Sequence, residues 1–306
     1  METEGRRRST NFEDRGSGGG GGGGGGLPIN ALSGLVRLLG VKGTLVVGAI
    51  AGIGYFVLPT GLRNALLRAV GGGSVASGPT TSGGSVCKSS PESGKACDFS
   101  LAVLASTEDV WKAKFAAGAL PKYSKPIGAY QEPTLVVFAN AVSTGGCGNA
   151  TSDVGPFYCS GDRKLYIDPS FYTVMDKQLK APGDFAQAYV IAHEVGHHLQ
   201  TLIGSRDVGT PGETKNQTSV RMELQADCFA GVWGHDARSS LAITDEDLRE
   251  AVNAAHQIGD DTLGHSDKSK FTHGSSEQRM RWFKRGFESG DARQCDTFAV
   301  AKYAEL

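Results

Sequence analysis

The stretch VIAHEVGHHLQ, Val190–Gln200, sets two imidazoles four residues apart, His193 and His197, with a carboxylate, Glu194, directly after the first. In a helix this spacing puts both rings on one face about one turn apart, where they can share a metal ion. Glu194 can then reach a metal-bound water without being a ligand itself. This is the H-E-x-x-H arrangement. Imidazole suits zinc, and zinc lowers the pKa of a bound water toward ~7, which supplies a hydroxide nucleophile at neutral pH. The competing reading is a pair of helix histidines that are solvated or bonded within the fold.

Two neutral ligands are one short of the three protein ligands that hydrolytic zinc usually takes beside its water. Glu223, in RMELQADCFAG on the next expected helix, is the best third ligand, and Asp227 follows it one turn on along the same face. Asp227 can accept the second N–H of a ligand histidine, fixing its tautomer and raising its basicity. An ordinary helix surface with two acids is the alternative. Against it, Leu224, Ala226, Phe229, Ala230, Val232 and Trp233 make this helix largely apolar.

Helices must carry these residues. DFAQAYVIAHEVGHHLQTLIG reads as one, with Asp184 as cap and Gly204 as stop; SVRMELQADCFAGVWGHDA, TDEDLREAVNAAHQIG and SSEQRMRWFKRGFESG read as three more. Upstream, STED opens a helix with Ser106 capping and Asp109 returning the bond, ending near Gly118. PTLVVFANAV and RKLYIDPS are short, β-branched and bounded by Gly or Pro, so strands are expected at about 134–141 and 164–168. Strands first and helices after make an α+β domain.

The whole chain has 306 residues and a formal net charge of −1, which excludes nucleic acid as a main partner. Residues 1–42 read as a cytoplasmic basic, Gly-rich tail, since the first 26 are polar and end in glycines that cannot bury apolar surface. Residues 43–62 carry no charge and match the length needed to cross ~30 Å of hydrocarbon as a signal anchor. Arg6, Arg7, Arg8, Arg15, Arg37 and Lys42 precede this span against Arg63 and Arg68 after it, which keeps the N-terminus cytoplasmic. The protein is therefore expected in the inner membrane as a single-pass chain, its catalytic domain periplasmic or extracellular. Residues 63–96 read as a flexible stalk and 97–306 as the folded domain. Six cysteines without a Cys-x-x-Cys pair fit an oxidising compartment. Short loops favour Cys87–Cys97 and Cys147–Cys159. Cys228–Cys295 would then brace the helix of Glu223.

IAHEVGHHLQ, ELQADCFAGVW and THGSSEQRMRWF, with the NFEDR start and the apolar span, resemble the bacterial neutral zinc metallopeptidases, a family of membrane-anchored proteins, over nearly the whole chain. Glu-x-x-x-Asp on the helix after H-E-x-x-H is also similar to the gluzincin arrangement of thermolysin-like peptidases. The resemblance implies a zincin-like domain, with a small sheet and a mainly helical active-site part, preceded by one transmembrane helix. It implies Zn²⁺ held by His193, His197 and Glu223, with Glu194 as general base. By the same likeness His273, in THGSSEQR, donates a hydrogen bond to the tetrahedral oxyanion. Otherwise it marks a helix entry capped by Ser275 or Ser276. KLYID falls where zincin folds place the edge strand that receives an extended peptide; the alternative is an internal strand.

The expected function is that of a membrane-anchored zinc metallopeptidase acting on peptide or protein substrates, with the lipid bilayer as its other partner. The rival is a non-catalytic, zinc-stabilised binding or scaffold protein whose site is closed by a fourth ligand, His198 or His273. His198 points about 100° from the ligand face and is expected to be structural. His235, His256 and His265 are expected at the surface.

Overall fold

The structure, a computed structural model, describes residues 1–17 and 84–306. The expected membrane span, 43–62, lies outside the described residues, as do 18–42 and 63–83 beside it. Among the described residues no helix is long and apolar enough to cross a membrane.

In chain order the elements are β1 (Phe12–Ser17), α1 (Pro91–Ala116), β2 (Thr134–Ala139), β3 (Ala141–Ser143), β4 (Asn149–Thr151), β5 (Phe157–Cys159), β6 (Lys164–Ile167), α2 (Phe171–Lys177), α3 (Asp184–Ile203), α4 (Lys215–Ala237), α5 (Asp245–Gln257) and α6 (Ser276–Ser289). A four-stranded sheet of order β1-β2-β6-β5 packs beside a mainly helical part, so the α+β expectation holds. β2 is buried along LVVF because strands and helices cover both its faces, which is why it reads as a continuous apolar run. β6, the KLYI strand, is internal, between β2 in parallel and β5 in antiparallel pairing. Among the described residues the edge strand beside the helices is β5, which packs on α3.

The first 17 residues are not an unfolded tail. β1 runs parallel to β2, with Phe12 opposite Leu135, and the segment is held by polar contacts that compensate for its few apolar side chains. Buried Glu108 on α1 accepts from Arg7 Nη1 at 2.8 Å, Ser9 Oγ at 2.5 Å and Asn11 Nδ2 at 2.9 Å. Asp14 accepts from Ser85 Oγ and from the N–H groups of Val86 and Cys87. The Met1 ammonium lies 2.6 Å from Asp247. A chain that pairs β1 with β2 cannot also keep its N-terminus across a bilayer from α3 and α4.

The ordered domain also begins earlier than residue 97. Ser90 caps α1, Pro91 sits in its first turn, and Cys87 is bonded to Cys97, so 84–96 belong to the folded unit and not to a stalk. Ser106 is accordingly mid-helix, accepting from Trp233 Nε1, and Thr107 Oγ1 bonds back to the Leu104 carbonyl. Cys147–Cys159 and Cys228–Cys295 are the other two disulfides, as expected. Thr214, Thr244 and Ser275 cap α4, α5 and α6, each with a reciprocal bond from the third helical residue.

Two close approaches fix how the helices cross. A Cβ on Gly196 of α3 would lie 2.9 Å from the Cα and carbonyl oxygen of Ala226 on α4. A Cβ on Gly286 of α6 would lie 2.0 Å from the Cys228 carbonyl oxygen, and one on Gly231 of α4 would lie 2.1 Å from that of Phe283. Only hydrogen fits at these points. The backbones of α3, α4 and α6 therefore touch, and polar residues on their inner faces meet in a shared interior.

Candidate metal centre

The Gly196–Ala226 contact sets Glu223, one turn before Ala226, opposite the histidine pair. His193 Nε2 lies 3.2 Å from Glu223 Oε2, and His197 Nε2 lies 3.4 Å from Glu223 Oε1. One ligand atom from each of the three falls within 4.8 Å of the others. The two imidazoles stand nearly perpendicular, with centroids 4.8 Å apart.

Both histidines have committed their other nitrogen. His193 Nδ1–H donates to Asp227 Oδ1 at 2.8 Å, and His197 Nδ1–H donates to Gln200 Oε1 at 2.9 Å. Gln200 is fully buried and held in turn by its Nε2–H on the Met222 carbonyl. With these acceptors fixed, each neutral ring presents the Nε2 lone pair toward Glu223, as a divalent cation requires. The donor set, two imidazoles and one carboxylate, suits zinc. Gln200 escaped the sequence reading. Its signal was its place three residues after His197, on the same helical face.

Electrostatics agree with the geometry. Burial opposes ionisation of Glu223, but His197 and His193 outweigh it and hold the carboxyl well below its usual range. Burial also opposes protonation of His193. Asp227 and Glu223 overcome it and lift the ring to about 9, so metal binding must displace a proton there. Glu194 differs from Glu223: burial pushes it above the usual carboxylate range against the pull of His197 and His193, which is the direction a general base needs.

His273 comes to the same region, close enough to stabilise the Glu223 charge. Its loop is organised by buried Asp260, which accepts from the N–H groups of Thr272, His273 and Gly274. Asp260 Oδ1 also lies 3.2 Å from His273 Nδ1. Ser275 is the cap of the following helix. His198 is spent on the fold, because Nε2–H donates to the Gln131 carbonyl at 2.6 Å and Nδ1 accepts from the Tyr158 hydroxyl at 3.2 Å. That removes one of the two residues that could have closed the site as a fourth ligand. His235 is exposed, whereas His256 and His265 are half-buried.

Paired helices that converge two histidines and a glutamate, with a second glutamate beside them, make an arrangement of the H-E-x-x-H class that could hold zinc. The chain belongs to the family described as "Putative neutral zinc metallopeptidase", which matches residues 1–298. Its cofactor is zinc. The chain is 44% identical to the uncharacterized protein YpfJ of Escherichia coli K12 over 97% of its own length and 99% of the relative's. It is 40% identical to the uncharacterized protein Rv2575 of Mycobacterium tuberculosis H37Rv over 56% of its length and 64% of that chain. No solved structure matches.

Proposed function

We propose that this protein is a zinc-dependent peptidase that hydrolyses peptide bonds, with Glu194 as the general base. The observation that carries the reading is the convergence of His193 Nε2, His197 Nε2 and one Glu223 oxygen within 4.8 Å, beside a buried carboxyl that is not one of the ligands. Zinc, when bound there, supplies Lewis acidity toward the scissile carbonyl and lowers the pKa of water. Asp227 and Gln200 keep the two imidazoles in the ligating tautomer. Glu194 takes the proton of the attacking water and delivers it to the leaving amine. His273, braced by Asp260, donates a hydrogen bond to the oxygen that gains charge. A substrate in extended form is accommodated along β5, the edge strand that lies against α3 and whose Tyr158 N–H donates to Glu194.

Attachment to a bilayer through residues 43–62 and export of the domain belong to the same proposal. The uncharged run and the three disulfides support them. With β1 paired to β2, residues 1–17 stay on the side of the zinc domain, so this run is proposed as an attachment to the bilayer and not as a single crossing of it. Glu194→Gln keeps all three ligands, so the variant should retain zinc by elemental analysis and lose casein or peptide cleavage by at least about a hundredfold. Cleavage at the wild-type rate would remove Glu194 from the mechanism.

A further inference from the structure

We propose that Arg279 is a positioning residue of the zinc centre, clamping the Asp227 carboxylate so that His193 Nε2 stays aimed at the metal. Arg279 lies on α6 and is 2% exposed. Its Nε donates to Asp227 Oδ2 and its Nη2 to Asp227 Oδ1, both at 2.8 Å, a two-pronged contact across the whole carboxylate. Asp227 Oδ1 also receives His193 Nδ1–H at 2.8 Å and the Tyr189 hydroxyl at 2.5 Å. The remaining guanidinium nitrogen, Nη1, donates to the Ile258 carbonyl at 3.3 Å.

An aspartate carboxylate turns easily about its last bond, and donors to Oδ1 alone leave its plane undefined. A planar guanidinium bonding both oxygens fixes that plane; an ammonium, a point donor, does not. Once the plane is fixed, so is the direction in which Oδ1 accepts from His193, and with it the rotation of the ring that carries Nε2. The fold delivers Arg279 to this place through the contact of α6 with α4 at Gly286, two turns after Arg279 on the same face. The bond to Ile258 extends the clamp to the chain just before Asp260, the residue that organises the His273 loop. One side chain thus ties α3, α4 and α6 to the segment that holds the second candidate proton donor.

Charge alone makes the opposite prediction. The guanidinium sits 4.0 Å from Glu223 Oε2, where its positive charge repels a dication. Were that its main effect, removing it would tighten zinc binding. Positioning requires that binding weaken. The proposal rests on the zinc centre described above, and the test separates the two.

The test uses the full chain, loaded with Zn²⁺ or Co²⁺, with zinc affinity read by chelator competition, coordination by the visible absorption of the cobalt form, and folding by circular dichroism. Arg279→Lys keeps the charge and loses the fork. It should bind zinc about 10–100-fold more weakly, with an altered cobalt spectrum, while remaining folded. Asp227→Asn/Arg279→Gln removes both buried charges together and leaves an acceptor for His193, so it stays informative if the lysine variant does not fold. It should show the same weakening. Wild-type affinity and cobalt spectrum in whichever variant folds would overturn the role of Arg279, and so would tighter zinc binding. Failure of the wild-type chain to bind zinc would instead overturn the metal centre itself.

Discussion

Replacing His198 by glutamine should flatten the acid sensitivity of the domain. His198 is fully buried, and its two bonds, a donor to Gln131 and an acceptor from Tyr158, require the neutral ring. Burial pushes the imidazole down to about 4, against about 6.5 for the unfolded chain. The unfolded chain therefore takes up a proton in a window where the folded chain refuses it. The stabilising contribution is complete above about pH 6.5 and is lost as pH falls toward about 4. A gap of about 2.5 units is worth about 3 kcal/mol in full, and about 2 kcal/mol is already gone at about pH 5. Glutamine keeps a donor for the Gln131 carbonyl and does not titrate. Urea unfolding of both proteins in chelator, at about pH 7.5 and about pH 5, isolates this group, because every other titration is common to the two. Between those pH values the wild type should lose about 2 kcal/mol more than His198→Gln. Equal losses would refute the claim that a neutral, buried His198 holds the β5 side of the site to α3.

Gly196→Ala places a methyl 2.9 Å from the Ala226 backbone, so α3 and α4 must part. This should cost about 1–3 kcal/mol of stability and weaken zinc binding in chelator competition; unchanged values for both would deny that this contact sets the position of Glu223. A chain lacking residues 1–17 leaves the buried Glu108 without Arg7, Ser9 and Asn11 and opens the edge of β2. Residues 84–306 alone should therefore show weakened near-ultraviolet circular dichroism, and native signal would show that β1 is dispensable. In cells, tags at residue 1 and at residue 306 should respond alike to a membrane-impermeant reagent. Opposite responses would show that β1 does not pair with β2 there.

Much of the site could be read in the sequence because its geometry is local. His193, Glu194 and His197 share one helix turn, and Glu223 and Asp227 share another, so helical spacing alone groups them. What brings the two helices together is Gly196 against Ala226, a contact between residues whose types announce nothing. Arg279 and Asp260 escaped for a related reason: each acts through a partner far along the chain, and a charged residue on a helix or in a loop reads as solvated until its neighbours are known. β1 was missed because FEDRGS lacks the apolar alternation of a half-buried strand. Its pairing depends on Asp14 and on ion pairs to α1, which no local pattern encodes. For β6 the sequence left an edge and an internal place both open, because the strand that decides between them, β5, is only three residues long. α1 began earlier than its STED signal because Ser90 and Pro91 form a second start upstream, behind a Gly/Ser-rich run.

The central claim is that His193, His197 and Glu223 share one zinc ion and leave a further position to water. Anomalous scattering at the zinc edge from crystals of the full chain tests it most directly. A single strong peak about 2.0–2.2 Å from His193 Nε2, His197 Nε2 and a Glu223 oxygen, with no fourth protein ligand, is the predicted result. A peak bound by His273 as a fourth ligand, or one that leaves Glu223 out, would contradict it.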